Sequence, residues 1–104
     1  MTQKARLRFS KAARSDLLQM RRYSLERYGR AVATRYVDDV EAAFRLLQEQ
    51  PQAGRPHLAA GADVRCFTKR RHRVFYRIED EVVHILRVLH HAMDARPAID
   101  GASG

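Results

Sequence analysis

The sequence predicts an α+β domain of the order β-α-α-β-β-β, in which a helical hairpin packs on one face of a mostly antiparallel sheet. A short segment with polar–apolar alternation comes first, two helical patterns follow almost without a gap, and three strand-like segments come last. Helices and strands that occur in separate runs are typical of an α+β domain and not of a doubly wound one. The chain has 104 residues, which is the length of a single domain.

The first half of the chain contains one predicted strand and the two helices. Residues 5–9, ARLRF, alternate polar and apolar side chains, which favours a short strand. Ser10 can cap the first helix, Gly29 can end it, and Pro51 must end the second because proline lacks a backbone N–H. The second helix carries one apolar face, formed by Ala33, Tyr36, Val40, Ala43, Phe44 and Leu47. The near absence of a linker between the helices predicts a hairpin whose apolar faces pack on a common surface.

The second half contains a loop and three predicted strands. Two prolines and two glycines favour a loop at residues 51–63. Strands are predicted at residues 64–69, 72–79 and 82–91, where β-branched and aromatic side chains are frequent. Both faces of the last segment are largely apolar, so we expect a central strand that is covered on both sides.

The charge of the chain is strongly positive and unevenly distributed. Lys and Arg number 20 against 12 Asp and Glu, which gives a formal net charge of +8 at pH 7 and a sequence pI near 10.5. Such a surplus points to a polyanionic partner: nucleic acid, a nucleoprotein or an acidic protein segment. From Val64 to Ile78 there are six Lys or Arg residues and no acidic residue. A solvated surface would explain the surplus of charge, but not this acid-free segment.

The remaining compositional features exclude several classes of protein. The single cysteine, Cys66, rules out an internal disulfide and fits a reducing cytoplasm, where we expect the protein to act. No apolar segment approaches membrane-spanning length, and the basic start of the chain lacks the hydrophobic region of a signal peptide. Residues 1–97 are predicted to form a single domain, and residues 98–104, which are small and polar, a flexible tail.

Two adjacent histidines, His90 and His91, end the last predicted strand and are the most conspicuous candidates for chemistry. Neighbouring residues on a strand point to opposite faces, so the two cannot converge on one metal ion while the strand continues. None of the five histidines shows the helical spacing or the pairing with cysteine that makes a zinc site. The sequence therefore predicts no metal and no cofactor, and it has no glycine-rich phosphate loop that would suggest a small-molecule substrate.

A metal-free ribonuclease is one hypothesis that the sequence leaves open. It requires a base for the 2′-hydroxyl, an acid for the leaving oxygen, and cations around the developing negative charge. The candidates are Arg65, Arg73, Arg77 and Arg87 as cations, with His90 or His91 as acid or base. The structural alternative, which we favour, is that Arg77 and Arg87 form ion pairs or cover the sheet edge and that His90 is a hydrogen-bonded structural residue.

Several motifs along the chain match one known pattern. They are SKAARSDLLQM in the first helix, Tyr28-Gly29, QPQAGRP in the loop, HRVFYRI in the middle strand and ILRVLHHAMDARP at the end. The Phe-Tyr-Arg strand and the Arg-Val-Leu-His-x-x-Met-Asp ending are together the most specific part. On these segments, which span residues 10–97, the chain resembles the ParE toxins of type II toxin–antitoxin systems, within the RelE/ParE superfamily.

The resemblance implies a toxin that is encoded on a plasmid or chromosome and neutralised by an acidic, ParD-like antitoxin. ParE toxins inhibit DNA gyrase and are not enzymes in their own right, whereas RelE relatives cleave mRNA on the ribosome. Several RelE relatives carry a catalytic His or Tyr at the end of the chain, but here Met93-Asp94 is present and no tyrosine follows Tyr76. The ending therefore favours gyrase as the target. The ribosome with its mRNA is the alternative, and a non-toxic basic interaction module is a third.

Under the toxin hypothesis, the basic residues become the expected surface for the target or the antitoxin. We predict that this surface is formed by Arg65, Lys69, Arg70, Arg71, Arg73, Arg77 and Arg87. Its positive charge would speed the encounter with a polyanionic partner and fix the register of binding. An acidic antitoxin tail would fold as it wraps the helical hairpin and the sheet.

Overall fold

A computed structural model describes residues 4–90 of the chain. The elements are β1 (Arg6–Phe9), α1 (Lys11–Tyr28), α2 (Arg30–Glu49), β2 (Arg55–Pro56), β3 (Arg65–Lys69), β4 (His72–Glu79) and β5 (Val82–His90). The strands form one sheet in the spatial order β1-β5-β4-β3-β2, in which β1 runs parallel to β5 and the other neighbouring pairs are antiparallel. The predicted α+β fold with its helical hairpin is confirmed. The predicted domain end at residue 97 and the tail lie outside the described residues.

The sheet contains one strand more than the sequence predicts. β2 lies within the segment 51–63 that the sequence assigns to a loop, between short 3₁₀ turns at Pro51–Ala53 and Leu58–Ala60. Its two residues pair with Arg65 and Cys66 at the edge of the sheet. A two-residue strand is too short to show alternation, and its proline is tolerated because an edge strand has one unpaired side.

Local capping explains where the helices begin and end. The Ser10 hydroxyl accepts a hydrogen bond from the Ala13 N–H at 2.9 Å, as an N-cap does, and donates one to the Leu86 carbonyl at 2.8 Å. The second bond ties the start of α1 to β5. Gly29 joins the helices without a loop, because its N–H donates to carbonyls in the last turn of α1 and its φ of +93° lies in the region that favours glycine.

The core lies between the helices and the sheet. The predicted apolar face of α2 is buried except for Tyr36, which is half-buried. Opposite it, Val74 and Tyr76 of β4 and Val83 and Ile85 of β5 have no accessible surface. Among the described residues, neither helix is long and apolar enough to cross a membrane.

The sequence predicts that the last strand is covered on both sides, but the helices cover only one face of β5. A β-bulge explains why its apolar residues do not alternate regularly. Tyr76 pairs with Ile85, but the preceding residue of β4 pairs with Arg87, so Leu86 is an extra residue in the ladder. An extra residue shifts the alternation of side chains by one position. Val88 is therefore buried on the same face as Ile85, although the two are three residues apart. Val83, Ile85 and Val88 therefore pack together on one covered face, and both helices lie on that side of the sheet.

Candidate functional site

The seven basic residues predicted to form a binding surface occupy three different environments. Arg65 and Arg87 make hydrogen bonds that hold parts of the fold together. Arg73 and Arg77 lie on the face of the sheet opposite the helices. Residues 69–71 lie at the turn between β3 and β4. The structure thus brings together only part of the predicted surface.

Arg65 fastens the loop after α2 to the sheet. Its Nη1 donates to the Gly54 carbonyl at 2.7 Å and to the Gln52 carbonyl at 3.4 Å. Tyr76 holds the same loop from the neighbouring strand, since its hydroxyl donates to the Pro51 carbonyl at 2.6 Å and accepts from the Gly54 N–H at 2.8 Å. Burial raises the pKa of Tyr76, so the hydroxyl keeps the proton that it donates. One nitrogen of the Arg65 guanidinium is thus bonded to loop carbonyls.

Arg87 is held by a carboxylate of α1. Its Nε and Nη2 donate to the two oxygens of Asp16 at 2.8 and 2.9 Å, in bidentate geometry. These bonds raise the pKa of Arg87. Asp16 Oδ2 also accepts from the Val88 N–H at 2.9 Å, at a point of β5 where β1 has already ended. The ion pair that the structural alternative assigns to Arg87 is therefore present.

Arg73, Phe75 and Arg77 alternate along β4 and share the face opposite the helices, because residues two apart on a strand point the same way. The guanidinium of Arg73 lies over the Phe75 ring, 5.2 Å from its centroid. The ring of His57, from the loop after β2, meets the Phe75 ring edge to face at a centroid distance of 5.2 Å. The middle of this face thus presents a planar cation and an aromatic ring.

Strand register adds three arginines to this face that sequence reasoning did not select. Arg8 lies beside His84, and His84 lies beside Arg77, across three neighbouring strands. Arg6 lies on the same side of β1, and Arg55 joins the face through the pairing of β2 with β3. We call this surface the open basic face; it consists of Arg6, Arg8, Arg55, Arg73, Phe75 and Arg77. The alternation in ARLRF indicates that the first two share a face, but only the pairing of β1 with β5 brings them to Arg77.

The basic turn between β3 and β4 lies at one end of the open basic face. Lys69 pairs with His72 at the last rung of the β3–β4 ladder, one rung beyond the pair of Thr68 and Arg73. Arg70 and Arg71 follow in the turn, and both are exposed. The turn therefore extends the positive charge of the open basic face beyond the end of the strands.

His90 lies on the covered side of the sheet. It is 2% exposed, and its ring centroid is 4.4 Å from that of His72 and 4.3 Å from that of Tyr36 in α2. Arg73 and Arg77 lie on the opposite face, so His90 does not stand with them around one reacting group. This position fits the structural alternative for His90. His91 and Met93-Asp94 lie outside the described residues.

We expect the free energy of unfolding to fall as the pH drops below about 6.5, because His72 is buried beside His90. Burial is the largest influence and lowers the pKa of His72 from its usual 6.5; Arg71 also lowers it, while Asp39 and the Lys69 backbone raise it. The unfolded chain therefore binds more protons just below pH 6.5. The stability from neutral His72 is complete above pH 6.5 and is lost as the pH falls, by at most about 1.4 kcal/mol per pH unit.

Urea unfolding between about pH 5 and pH 8 measures this dependence. The His72→Gln variant should show a shallower fall of stability with acid, because the titrating ring is gone. If the free energy of unfolding falls with acid equally steeply in the variant and the parent, the acid sensitivity comes from other groups.

The described part of the chain brings no three His, Cys, Asp or Glu side chains together as metal ligands. Cys66 is a half-buried free thiol that pairs with Phe75 across β3 and β4. What the site offers is therefore positive charge, one aromatic ring and the imidazole of His84, whose Nε2 lies 3.7 Å from Glu79 Oε1. Such a surface can bind a polyanion.

The sequence of the chain is similar to known toxins. A family model described as the ParE toxin of the type II toxin–antitoxin system parDE matches residues 7–95. Toxin ParE1 of Caulobacter vibrioides is 36% identical over 89 residues, which cover 86% of this chain and 92% of that protein. The family match begins within β1 and includes all of β5.

Two solved structures share the fold. A chain of the chromosomal ParDE toxin–antitoxin system from P. aeruginosa has a TM-score of 0.73 and 22% identity, covering 86% of this chain and 98% of that one. A chain of the RelBE2 toxin–antitoxin complex from Mycobacterium tuberculosis has a TM-score of 0.60 and 32% identity, covering 84% and 98%. The family match extends over nearly all of the chain. The chain belongs to the ParE toxin family of type II toxin–antitoxin systems.

Proposed function

We propose that this protein inhibits DNA gyrase and is neutralised by a ParD-like antitoxin. It acts in the cytoplasm by binding its target and not as an enzyme, and with its antitoxin it stabilises the inheritance of the plasmid or chromosomal region that encodes the pair. The family match over residues 7–95 and the 36% identity to Toxin ParE1 support this assignment.

The main observation that argues against RNA cleavage is that the candidate catalytic residues have separate surroundings. Arg65 is bonded to loop carbonyls, Arg87 to Asp16, and His90 is buried on the covered face. A ribonuclease must gather its acid, its base and its cations around one phosphate. A binding function has no such requirement, and exposed charge on one face is sufficient for it.

The antitoxin is proposed to occupy the groove between α1 and α2. Leu18, Leu25 and Tyr28 of α1 leave 67%, 37% and 46% of their surface exposed. Leu25 lines the groove together with Arg21 and Arg30. Apolar side chains flanked by arginines suit an amphipathic, acidic segment that folds as it binds.

Charge reversal on the open basic face is expected to abolish growth inhibition. Replacing Arg73 and Arg77 by glutamate in one variant puts two negative charges where the target meets two positive ones. Like charges across an interface cost several kcal/mol, so the affinity for the target should fall roughly a hundredfold or more. Growth of cells that express the variant without antitoxin measures the effect.

The matched control is the double variant Arg35→Glu and Arg45→Glu, which makes the same change of net charge on exposed positions of α2. It should remain toxic in the absence of antitoxin. If the Arg73→Glu, Arg77→Glu protein is folded and still toxic, the open basic face is not the surface that acts on the target.

Induced cells distinguish the two toxin mechanisms. Gyrase inhibition predicts broken chromosomal DNA and a reporter plasmid that loses negative supercoils, while mRNA stays intact. Intact DNA together with fragmented mRNA would contradict the proposal.

RNA cleavage remains the second candidate, and one observation favours it. His84 lies between Arg8 and Arg77 on the open basic face, with Glu79 within 3.7 Å, which supplies an acid–base group beside two cations. This function predicts translation-dependent cuts in mRNA that disappear in the His84→Ala variant. Cuts that disappear only in the His90→Ala, His91→Ala double variant would instead place the chemistry at the end of the chain.

A further inference from the structure

The open basic face concentrates positive charge on one side of the sheet. Arg8, His84 and Arg77 stand side by side on three neighbouring strands, so one histidine lies between two arginines on this face. Among the strand residues that share this face within residues 4–90, Glu79 is the one carboxylate that can offset the arginines. Such a concentration of arginine on one face creates a positive potential that attracts anions.

The centre of the same face is aromatic. Arg73, Phe75 and Arg77 stand at every second position of β4, so neighbouring side chains are about 6.6–6.8 Å apart along the strand. The Arg73 guanidinium already lies over the Phe75 ring at 5.2 Å, and the His57 ring packs against Phe75 at a centroid distance of 5.2 Å. The planar groups are therefore ordered before a ligand arrives, which reduces the entropy lost on binding.

We propose that the open basic face binds single-stranded DNA. Its arginines contact the phosphates, and unpaired bases stack on the Phe75 ring and on the guanidinium of Arg73. A duplex offers the same phosphates but hides the faces of its bases, and an acidic protein segment offers charge without planar groups. Neither contact requires a 2′-hydroxyl. The choice of DNA over RNA rests on the proposed gyrase function, whereas the binding of a single strand does not.

Fluorescence anisotropy with the full chain, in the absence of gyrase, tests the proposal. The probes are one labelled single-stranded DNA of about 16 nucleotides, its duplex, the RNA of the same sequence, and a polyglutamate peptide. The single-stranded DNA should bind most tightly. Its affinity should fall linearly on a logarithmic salt scale, with a slope of about −0.7 for each phosphate that is contacted.

Two kinds of variant separate stacking from charge. Phe75→Leu keeps an apolar side chain but removes the ring, and should weaken binding at least about fivefold with an unchanged salt slope. Arg73→Lys tests the same idea with the charge retained, which keeps the proposal testable if the Phe75 variant does not fold. Arg8→Gln should reduce the magnitude of the slope by about 0.7. Arg45→Gln on α2, the matched control, should bind like the parent.

Three results would overturn the inference. Equal affinity for duplex and single strand, with no effect of Phe75→Leu and Arg73→Lys, would show that binding is nonspecific and electrostatic, without stacking of bases. Tighter binding of polyglutamate would identify an acidic protein partner, and tighter binding of RNA would overturn the choice of DNA. Failure of the proposed function would give a different result. A protein that binds single-stranded DNA but leaves gyrase unaffected would contradict gyrase inhibition and would support binding of single-stranded DNA.

Discussion

Replacement of Gly54 by alanine is expected to lower the free energy of unfolding by about 2–3 kcal/mol. A Cβ at this position would lie 2.6 Å from the hydroxyl oxygen and 2.7 Å from Cε1 of Tyr76. Tyr76 has no accessible surface, so its ring has no free space to move into. Gly54 has φ −74° and ψ 153°, which any residue adopts, so the position requires glycine for space and not for backbone freedom.

A double-mutant cycle measured by urea unfolding tests this explanation. Tyr76→Phe alone removes the hydroxyl that bridges Pro51 and Gly54, leaves buried polar groups without partners, and should cost about 1–3 kcal/mol. In the Tyr76→Phe background, Gly54→Ala should cost somewhat less, because the hydroxyl contact is gone while the contact with Cε1 remains. Gly29→Ala is the control for backbone strain alone, since its Cβ would meet nothing within 4 Å. A Gly54→Ala variant within about 0.5 kcal/mol of the parent would contradict the packing described here.

Asp16→Ala is expected to lower the free energy of unfolding by roughly 2–3 kcal/mol. The carboxylate is 10% exposed and accepts three hydrogen bonds, two from Arg87 and one from the Val88 N–H. Much of the loss should come from the backbone N–H, which is left without a partner in a part-buried position. The ion pair contributes less, because the Arg87 side chain is 45% exposed and water screens its charge.

Two further carboxylate variants separate these contributions in the same unfolding assay. Asp16→Asn keeps an oxygen that can accept from Val88, so it should cost clearly less than Asp16→Ala. Asp38→Ala removes an exposed carboxylate of α2 and should stay within about 0.5 kcal/mol of the parent. If Asp16→Ala is as mild as Asp38→Ala, the bond between α1 and the edge of β5 does not stabilise the fold.

The helices and the three long strands were predictable because their signals are local. Ser10, Gly29 and Pro51 mark helix boundaries through their own backbone chemistry, and the structure places the helix ends beside them. β2 was not predictable, since two residues become a strand only by pairing with β3. The bulge at Leu86 also depends on a partner strand, and without it Val88 would be assigned to the face opposite Ile85.

The sequence indicates that the candidate site is basic, but it does not show which basic residues share one face of the sheet. The acid-free segment from 64 to 78 includes Arg73 and Arg77, which lie on the open basic face. Arg65 and Arg87 look equivalent to them in the sequence, but their partners lie 11 and 71 positions away in the chain. The arginines of β1 and β2 reach the same face only through strand register, which a single sequence does not reveal.

The most direct test of gyrase inhibition is a supercoiling and DNA-cleavage assay with purified DNA gyrase and this chain, with and without its antitoxin. Gyrase inhibition through the open basic face predicts that linear, cleaved DNA accumulates and that the antitoxin prevents this. The Arg73→Glu, Arg77→Glu variant should not produce cleaved DNA. An unchanged gyrase reaction with toxin that is folded and arrests growth would contradict gyrase as the target, and an mRNA-cleavage assay on ribosomes would then decide whether His84 is catalytic.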